Sequence, residues 1–195
     1  MRKATVKRHT KETDVEISIN LDGCGECEIA TGVGFLDHML DHLAVHGLFD
    51  LSVKDVGDLQ VDPHHTIEDT ALVLGQAFDE ALGDRSGITR IGTTYVPMDE
   101  AMARVAVDLS GRPYAIVQSE WHTDAIGLCP TSLVPHFFES LAATMRANIH
   151  AQVLYGRDDH HQAEALFKAL GRALDDATKL DSRRGMAVPS TKGTL

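Results

Sequence analysis

Apolar and polar residues alternate through residues 12–23 (ETDVEISINLDG), so that Val15, Ile17, Ile19 and Leu21 share one side of an extended chain. Residues 100–111 (EAMARVAVDLSG) repeat the pattern with Ala103, Val105, Val107 and Leu109. A period of two that closes on glycine predicts a half-buried strand in each place. The period then lengthens. Leu36, Met39, Leu40 and Leu43, and later Phe137, Phe138, Leu141 and Met145, are spaced for one face of a helix, with Gly47 placed to cap the first. Residues 51–56 and 149–154 return to strand patterning, and each leads into an Ala/Leu-rich helix running to about Leu82 or Leu180.

The two series are one series repeated. Asp37-His38 aligns with Pro135-His136 at the start of the first helix, and Leu74-Gly75 with Leu170-Gly171 inside the second. Between them, Asp62-Pro63-His64-His65-Thr66-Ile67-Glu68 aligns with Asp158-Asp159-His160-His161-Gln162-Ala163-Glu164. The chain therefore divides into half-repeats 1–84 and 85–195, jointed at residues 83–87 (GDRSG). Halves of about 90 residues bury too little surface to be comfortable alone, so the expectation is one compact α+β domain. It would be built of internally duplicated half-domains, each a small mixed or antiparallel sheet with two helices, related by a pseudo-twofold axis. The tail from Asp181 is polar.

Composition narrows the partners. Eighteen Lys and Arg against 29 Asp and Glu give a formal charge of -11, which repels a nucleic-acid backbone, and no basic run offsets it. The apolar runs are far shorter than the ~20 residues that span a bilayer, and no hydrophobic stretch follows the basic start of the chain. Three cysteines, an odd number without an export signal, point to a reduced, cytoplasmic setting. Cys24-Gly-Glu-Cys27 has redox or zinc spacing, but it falls where two strand-like runs meet and lacks a second ligand pair, so an ordinary turn is the simpler reading.

Eleven histidines are the unusual feature, and their placement follows the repeat. On a helix, residues four apart face the same way while neighbours point ~100° apart. His64 and Glu68 can then grip one ion while His65 points at another, and His160, Glu164 and His161 repeat the arrangement. Pseudo-symmetry suggests a pairing: His38, His65, His160 and Glu164 on a first ion; His64, Glu68, His136 and His161 on a second. Three nitrogens and a carboxylate suit manganese, iron or zinc, and four protein donors leave positions open for chemistry. His42 and His46 share a face with His38, where either could line or support the site, although for His42 a plain structural role is the simpler reading. Residues 189–193 (PSTKG), with Arg90 and Arg112 beside turns, suit a phosphate, and exposed solubilising charges would look the same.

Six motifs, TGVGFLDHMLD (31–41), DPHHTIEDT (62–70), PMDEA (97–101), DLSGRP (108–113), HHQAEALFK (160–168) and PSTKG (189–193), closely resemble those of imidazoleglycerol-phosphate dehydratases of histidine biosynthesis. They occur in order along essentially the whole chain, in the manner of the family's single-function form. The resemblance implies a duplicated α+β fold, trimers assembled into a 24-subunit shell, and two manganese ions per active site at subunit contacts. It implies the same two ligand quartets as the pairing above. It places substrate contacts on Glu12, on the helix from His38 to His46, and on Arg90, Arg112, Ser190, Thr191 and Lys192. His42 stands where relatives often carry Gln and Pro63 where many carry Asp; the Cys24/Cys27 turn is particular to this chain.

The implied reaction removes water from imidazoleglycerol phosphate to give imidazole-acetol phosphate. Its difficulty is a non-acidic C–H beside the ring. Two metals flanking the substrate imidazole would stabilise its imidazolate, whose electrons expel hydroxide through a diazafulvene-like intermediate. Glu12 is the candidate general acid/base, its repeat mate Glu100 is assigned a structural role, and Arg90, Arg112 and Lys192 would anchor the phosphate. A metal-buffering protein and a dinuclear hydrolase are the competing readings of the same residues.

Overall fold

The computed structural model describes residues 2–195. Strands β1 (Lys3–His9), β2 (Thr13–Asn20) and β3 (Cys27–Ala30) precede helix α1 (Gly34–Gly47), which is followed by β4 (Asp50–Gly57) and α2 (His64–Leu82). The second half runs β5 (Ile91–Met98), β6 (Ala101–Asp108), β7 (Tyr114–Gln118), a short hairpin of β8 (Ala125–Ile126) and β9 (Cys129–Pro130), α3 (Leu133–Met145), β10 (Asn148–Tyr155) and α4 (Asp159–Thr178). The sheets have strand orders β1-β2-β4-β3 and β5-β6-β10-β7, the same topology twice. In each, three strands pair antiparallel and the last pairs parallel with its neighbour. The class is α+β and duplicated, with mixed sheets.

The alternation seen in the sequence sets the faces. Val15, Ile17 and Ile19 of β2 and Ala103, Val105 and Val107 of β6 are buried, while their neighbours along each strand are half-buried or exposed. Each long helix lies on its own sheet, α2 on β1 and β2, α4 on β5 and β6. Across the middle the helices exchange partners: α1 of the first half packs on α4 of the second, and α2 packs on α3. Five fully buried phenylalanines, Phe49, Phe78, Phe137, Phe138 and Phe167, fill this helical layer. At the joint, buried Arg85 donates to the carbonyls of Met145 (2.8 Å) and Arg146 (3.1 Å), which satisfies the open carbonyl end of α3.

Two local details differ from the sequence reading, at the ends of α1 and α4, and a third, the turn at Cys24 and Cys27, agrees with it. Gly47 is the last residue of α1, and the left-handed cap falls on Leu48 (φ 56), as it falls on Arg146 (φ 55) after α3. Helix α4 stops at Thr178, because Leu180 leaves it to form a bridge with Ile88. The Cys24/Cys27 segment is a turn opening β3; both thiols are free and exposed, and neither belongs to a metal-compatible cluster among the described residues. Burial and the Asp41 carboxylate push the Cys27 thiol up to about 11, which disfavours a reactive thiolate. No helix among the described residues is long and apolar enough to cross a membrane.

Candidate metal centre

Both His-His pairs sit in the first turn of a long helix, and an aspartate places them there. Asp158 caps α4, its Oδ1 accepting the backbone N–H groups of His160 (2.8 Å) and His161 (3.3 Å). In α2 the N-cap residue is Pro63, and the preceding Asp62 accepts the His64 N–H alone, at 2.7 Å. The exchange of helix partners then brings each pair to a histidine of the other half. Donor atoms of His38, His160 and Glu164 all lie within 4.8 Å of one another, as do those of His64, Glu68 and His136. One cluster thus joins α1 to α4 and the other joins α2 to α3.

In the first cluster Glu164 Oε2 faces His160 Nε2 at 3.2 Å and His38 Nε2 at 3.5 Å. Its other oxygen, Oε1, is held by Lys168 Nζ at 2.5 Å and lies 3.2 Å from His42 Nε2. Burial pushes the Glu164 carboxyl up, but Lys168, His42 and His38 outweigh it and hold it at about 2. Burial lowers His42 to about 4, and lowers His46 as well, with the nearby cations Lys168 and Arg172 acting in the same direction on His46. The His42 and His46 rings lie 5.8 Å apart on the face that carries His38. In the second cluster Glu68 lies 3.8 Å from His64 Nε2 and 3.6 Å from His136 Nε2, with no cation holding it among the described residues.

His65 and His161 are not brought into either cluster. They point away from their neighbours, and each is fixed by a carboxylate on Nδ1. Asp58 lies 3.1 and 3.2 Å from His65 Nδ1, and Glu100 Oε2 lies 2.7 Å from His161 Nδ1. These contacts raise both histidines, and the contact with His161 holds Glu100 at about 2. The outward nitrogens face only distant acids: Glu12 is 3.9 Å from His65 Nε2 and Asp99 is 3.9 Å from His161 Nε2. Glu12 itself is exposed, just ahead of β2.

The phosphate candidates lie elsewhere in the chain. Arg90 donates its backbone N–H to Ala177 at the C-terminal end of α4, so about 20 Å of helix separates it from Glu164. Its guanidinium grips Asp108 (2.6 and 3.0 Å) and donates to the Pro189 carbonyl (2.8 Å), which docks the tail. Among the described residues the Arg112 guanidinium donates only to the Ser110 carbonyl, at 3.3 Å. Ser190 is half-buried, with its Oγ accepting from the Lys192 N–H (3.2 Å), while Thr191 and Lys192 are exposed. One chain therefore carries two three-donor clusters at the N-terminal ends of α2 and α4, with Arg90 and the tail docked on it near the C-terminal end of α4.

The clusters fit a divalent ion by two criteria. His136 Nε2 is buried without a hydrogen-bond partner, a cost that a bound cation removes. Two imidazoles with a carboxylate form the mixed donor set of manganese, iron or zinc. Sequence reasoning missed Asp58 and Lys168 and gave Glu100 only a structural role. Lys168 was legible as the i+4 partner of Glu164; nothing in the spacing marks Asp58.

Comparison with known proteins agrees with the motifs. Residues 31–174 match the family described as imidazoleglycerol-phosphate dehydratase. An imidazoleglycerol-phosphate dehydratase of Roseiflexus sp. (strain RS-1) is 59% identical over 194 residues, covering 100% of this chain and 98% of its own. One from Chloroflexus aurantiacus is 56% identical over 195 residues, covering 100% and 95%. The crystal structure of the Pyrococcus furiosus enzyme superposes with a TM-score of 0.84 at 40% identity, covering 97% of this chain and 100% of that one. The Staphylococcus aureus enzyme gives 0.83 at 37%, covering 92% and 99%. With a family model matching most of the chain, 59% identity to a relative along its full length and the fold of the solved enzymes, this chain belongs to the imidazoleglycerol-phosphate dehydratase family.

Proposed function

We propose that the protein is a lyase that dehydrates D-erythro-imidazoleglycerol phosphate to imidazole-acetol phosphate in the cytoplasm, with two manganese ions per active site at contacts between copies of this chain. The observation that carries the reading is the pair of incomplete clusters: each joins helices from opposite halves, and each lacks the histidine that its quartet needs. His38, His160 and Glu164 would hold one ion, completed by His65 of a second copy; His64, Glu68 and His136 would hold the other, completed by His161. Asp58 and Glu100 leave Nε2 of these two histidines facing outward, the orientation such sharing requires.

The distance along α4 supports the same arrangement. A substrate of this size cannot touch Glu164 and Arg90 of one chain across about 20 Å. Arg90, Arg112, Ser190, Thr191 and Lys192 would therefore meet the phosphate of a substrate whose ring lies at another copy's clusters. The assembly proposed is 24 subunits built from trimers.

When bound, the two ions supply Lewis acidity to the substrate's imidazole ring. The chain's own groups do the rest. Glu12, exposed and placed beside His65, moves the proton of the carbon next to the ring as general acid/base. His42 and Lys168 keep the Glu164 carboxylate turned toward His38 and His160. The cationic group anchors the phosphate, so binding energy remote from the reacting carbon orients it.

Purified protein loaded with manganese and given imidazoleglycerol phosphate should generate the ketone, read as its enol absorbance in alkali. Metal-loaded protein that produces no such signal, or that only releases phosphate from simple esters, contradicts the reading.

A further inference from the structure

The repeat makes Glu12 and Glu100 equivalents, and His65 and His161 equivalents, yet the structure uses the two glutamates differently. Glu100 fixes His161 through Nδ1 at 2.7 Å, and its second oxygen accepts the N–H groups of Arg157 (3.3 Å) and Asp158 (2.9 Å). Glu12 makes no such contact. Nδ1 of His65 is taken by Asp58, and Glu12 lies 3.9 Å from the outer nitrogen, Nε2.

One loop accounts for the difference. Between Gly57 and Asp62, which accepts the His64 N–H, stand four residues, Asp58, Leu59, Gln60 and Val61; between Gly156 and the equivalent Asp158 stands only Arg157. The longer loop closes as a turn, with the Val61 N–H donating to the Asp58 carbonyl at 2.7 Å. The Asp58 N–H donates to the Glu12 carbonyl at 3.0 Å, so Asp58 is anchored beside Glu12 with its carboxylate on His65. An arginine in the matching place cannot accept from Nδ1, and Glu100 does so itself.

We infer that Asp58 is the positioning residue for His65, doing in the first half what Glu100 does in the second, and that this replacement is what frees the Glu12 carboxylate for proton transfer. A carboxylate on Nδ1 fixes the tautomer that leaves the Nε2 lone pair for a metal. A carboxylate so engaged is charge-paired and turned away from substrate. Two tasks at His65 need two acids, and the extra turn supplies the second.

The inference rests on the manganese-dependent reading above, and its test separates the two. Manganese binding to the purified, assembled protein is titrated for wild type, Glu12→Ala, Glu100→Ala and Asp58→Ala, with turnover measured in parallel. Asp58→Ala and Glu100→Ala should each weaken one of the two classes of site by about 10- to 100-fold. Glu12→Ala should leave both classes within a few-fold of wild type while abolishing turnover. Asp58→Asn, which keeps an acceptor oxygen on Nδ1, should recover most of the lost affinity.

Wild-type binding with Asp58→Ala unchanged, or Glu12→Ala losing a site as Glu100→Ala does, overturns the inference alone. Wild-type protein that takes up no manganese overturns the parent reading and this inference with it. Should Asp58→Ala fail to fold, the contrast between Glu12→Ala and Glu100→Ala decides: equal loss of metal in both is the contrary result.

Discussion

Glu164 and Glu68 occupy equivalent places in the repeat and are held differently. The first is buried, with one oxygen pinned by Lys168 and His42 and the other turned to two histidines. The second is half-buried and only approaches its histidines. In both, the charge is the part a metal needs. Glu164→Gln and Glu68→Gln should each lose about one manganese per chain with most of the activity, counted by metal analysis of the purified protein. Unchanged metal content in both would refute the ligand sets.

Asp55 of β4 shows the opposite use of burial. Thr70 donates to one of its oxygens at 2.8 Å, and the other oxygen is buried without a partner. Burial pushes its carboxyl up to about 6, against an ordinary 3.8. The folded chain then holds this proton more tightly than the unfolded chain, so the contribution is full below about pH 4 and is lost as pH rises through about 6. Asp55→Asn, which cannot ionise, should be more stable than wild type near neutral pH by roughly 2 kcal/mol. Denaturant unfolding at about pH 7.5 and about pH 4 tests this; a gain that is the same at both pH values contradicts it. At this scale the sequence announces which side chains can bind metal, because type and spacing are local. It does not announce Asp58 or the freedom of Glu12, which depend on how a loop folds back.

Among the elements, the long amphipathic helices and the central strands β2 and β6 were legible, because each carries a sustained period. The outer strands β1 and β5 bury few of their residues and show no sustained alternation, and β3, β7, β8 and β9 are a few residues beside turns, so none of these carries enough pattern to compete with a loop. The exchange of helix partners was implied only by the proposed metal pairing. Its physical means is a pair of glycines at matching positions. A Cβ on Gly75 of α2 would come within 2.5 Å of the Leu141 carbonyl oxygen of α3, and one on Gly171 of α4 within 2.6 Å of the Leu43 carbonyl oxygen of α1. Backbone cannot move aside as a side-chain tip can. Gly75→Ala and Gly171→Ala should each destabilise the protein by about 1–3 kcal/mol in thermal or denaturant unfolding, despite alanine's better helix propensity. A gain in stability at either site would show that the helices can part without cost, and with them the metal clusters.

At the scale of the whole molecule, duplication places the two three-donor clusters at equivalent ends of α2 and α4, each one donor short of the quartet proposed for it. The sequence supported the quartets as a set of residues; it had no means of saying which copy supplies which member, because a repeat looks the same whether its halves meet within one chain or between two. Within the chain three donors of each quartet converge, while His65 and His161 are turned outward by Asp58 and Glu100. The cationic tail at the far end of α4 is consistent with the proposed sharing of each site between copies. Anomalous diffraction at the manganese edge from crystals of the metal-loaded protein tests this most directly. The account predicts two ions per chain, one at His38, His160 and Glu164 with a second copy's His65, the other at His64, Glu68 and His136 with a second copy's His161. Ions bound elsewhere, or quartets closed entirely within one chain, would contradict it.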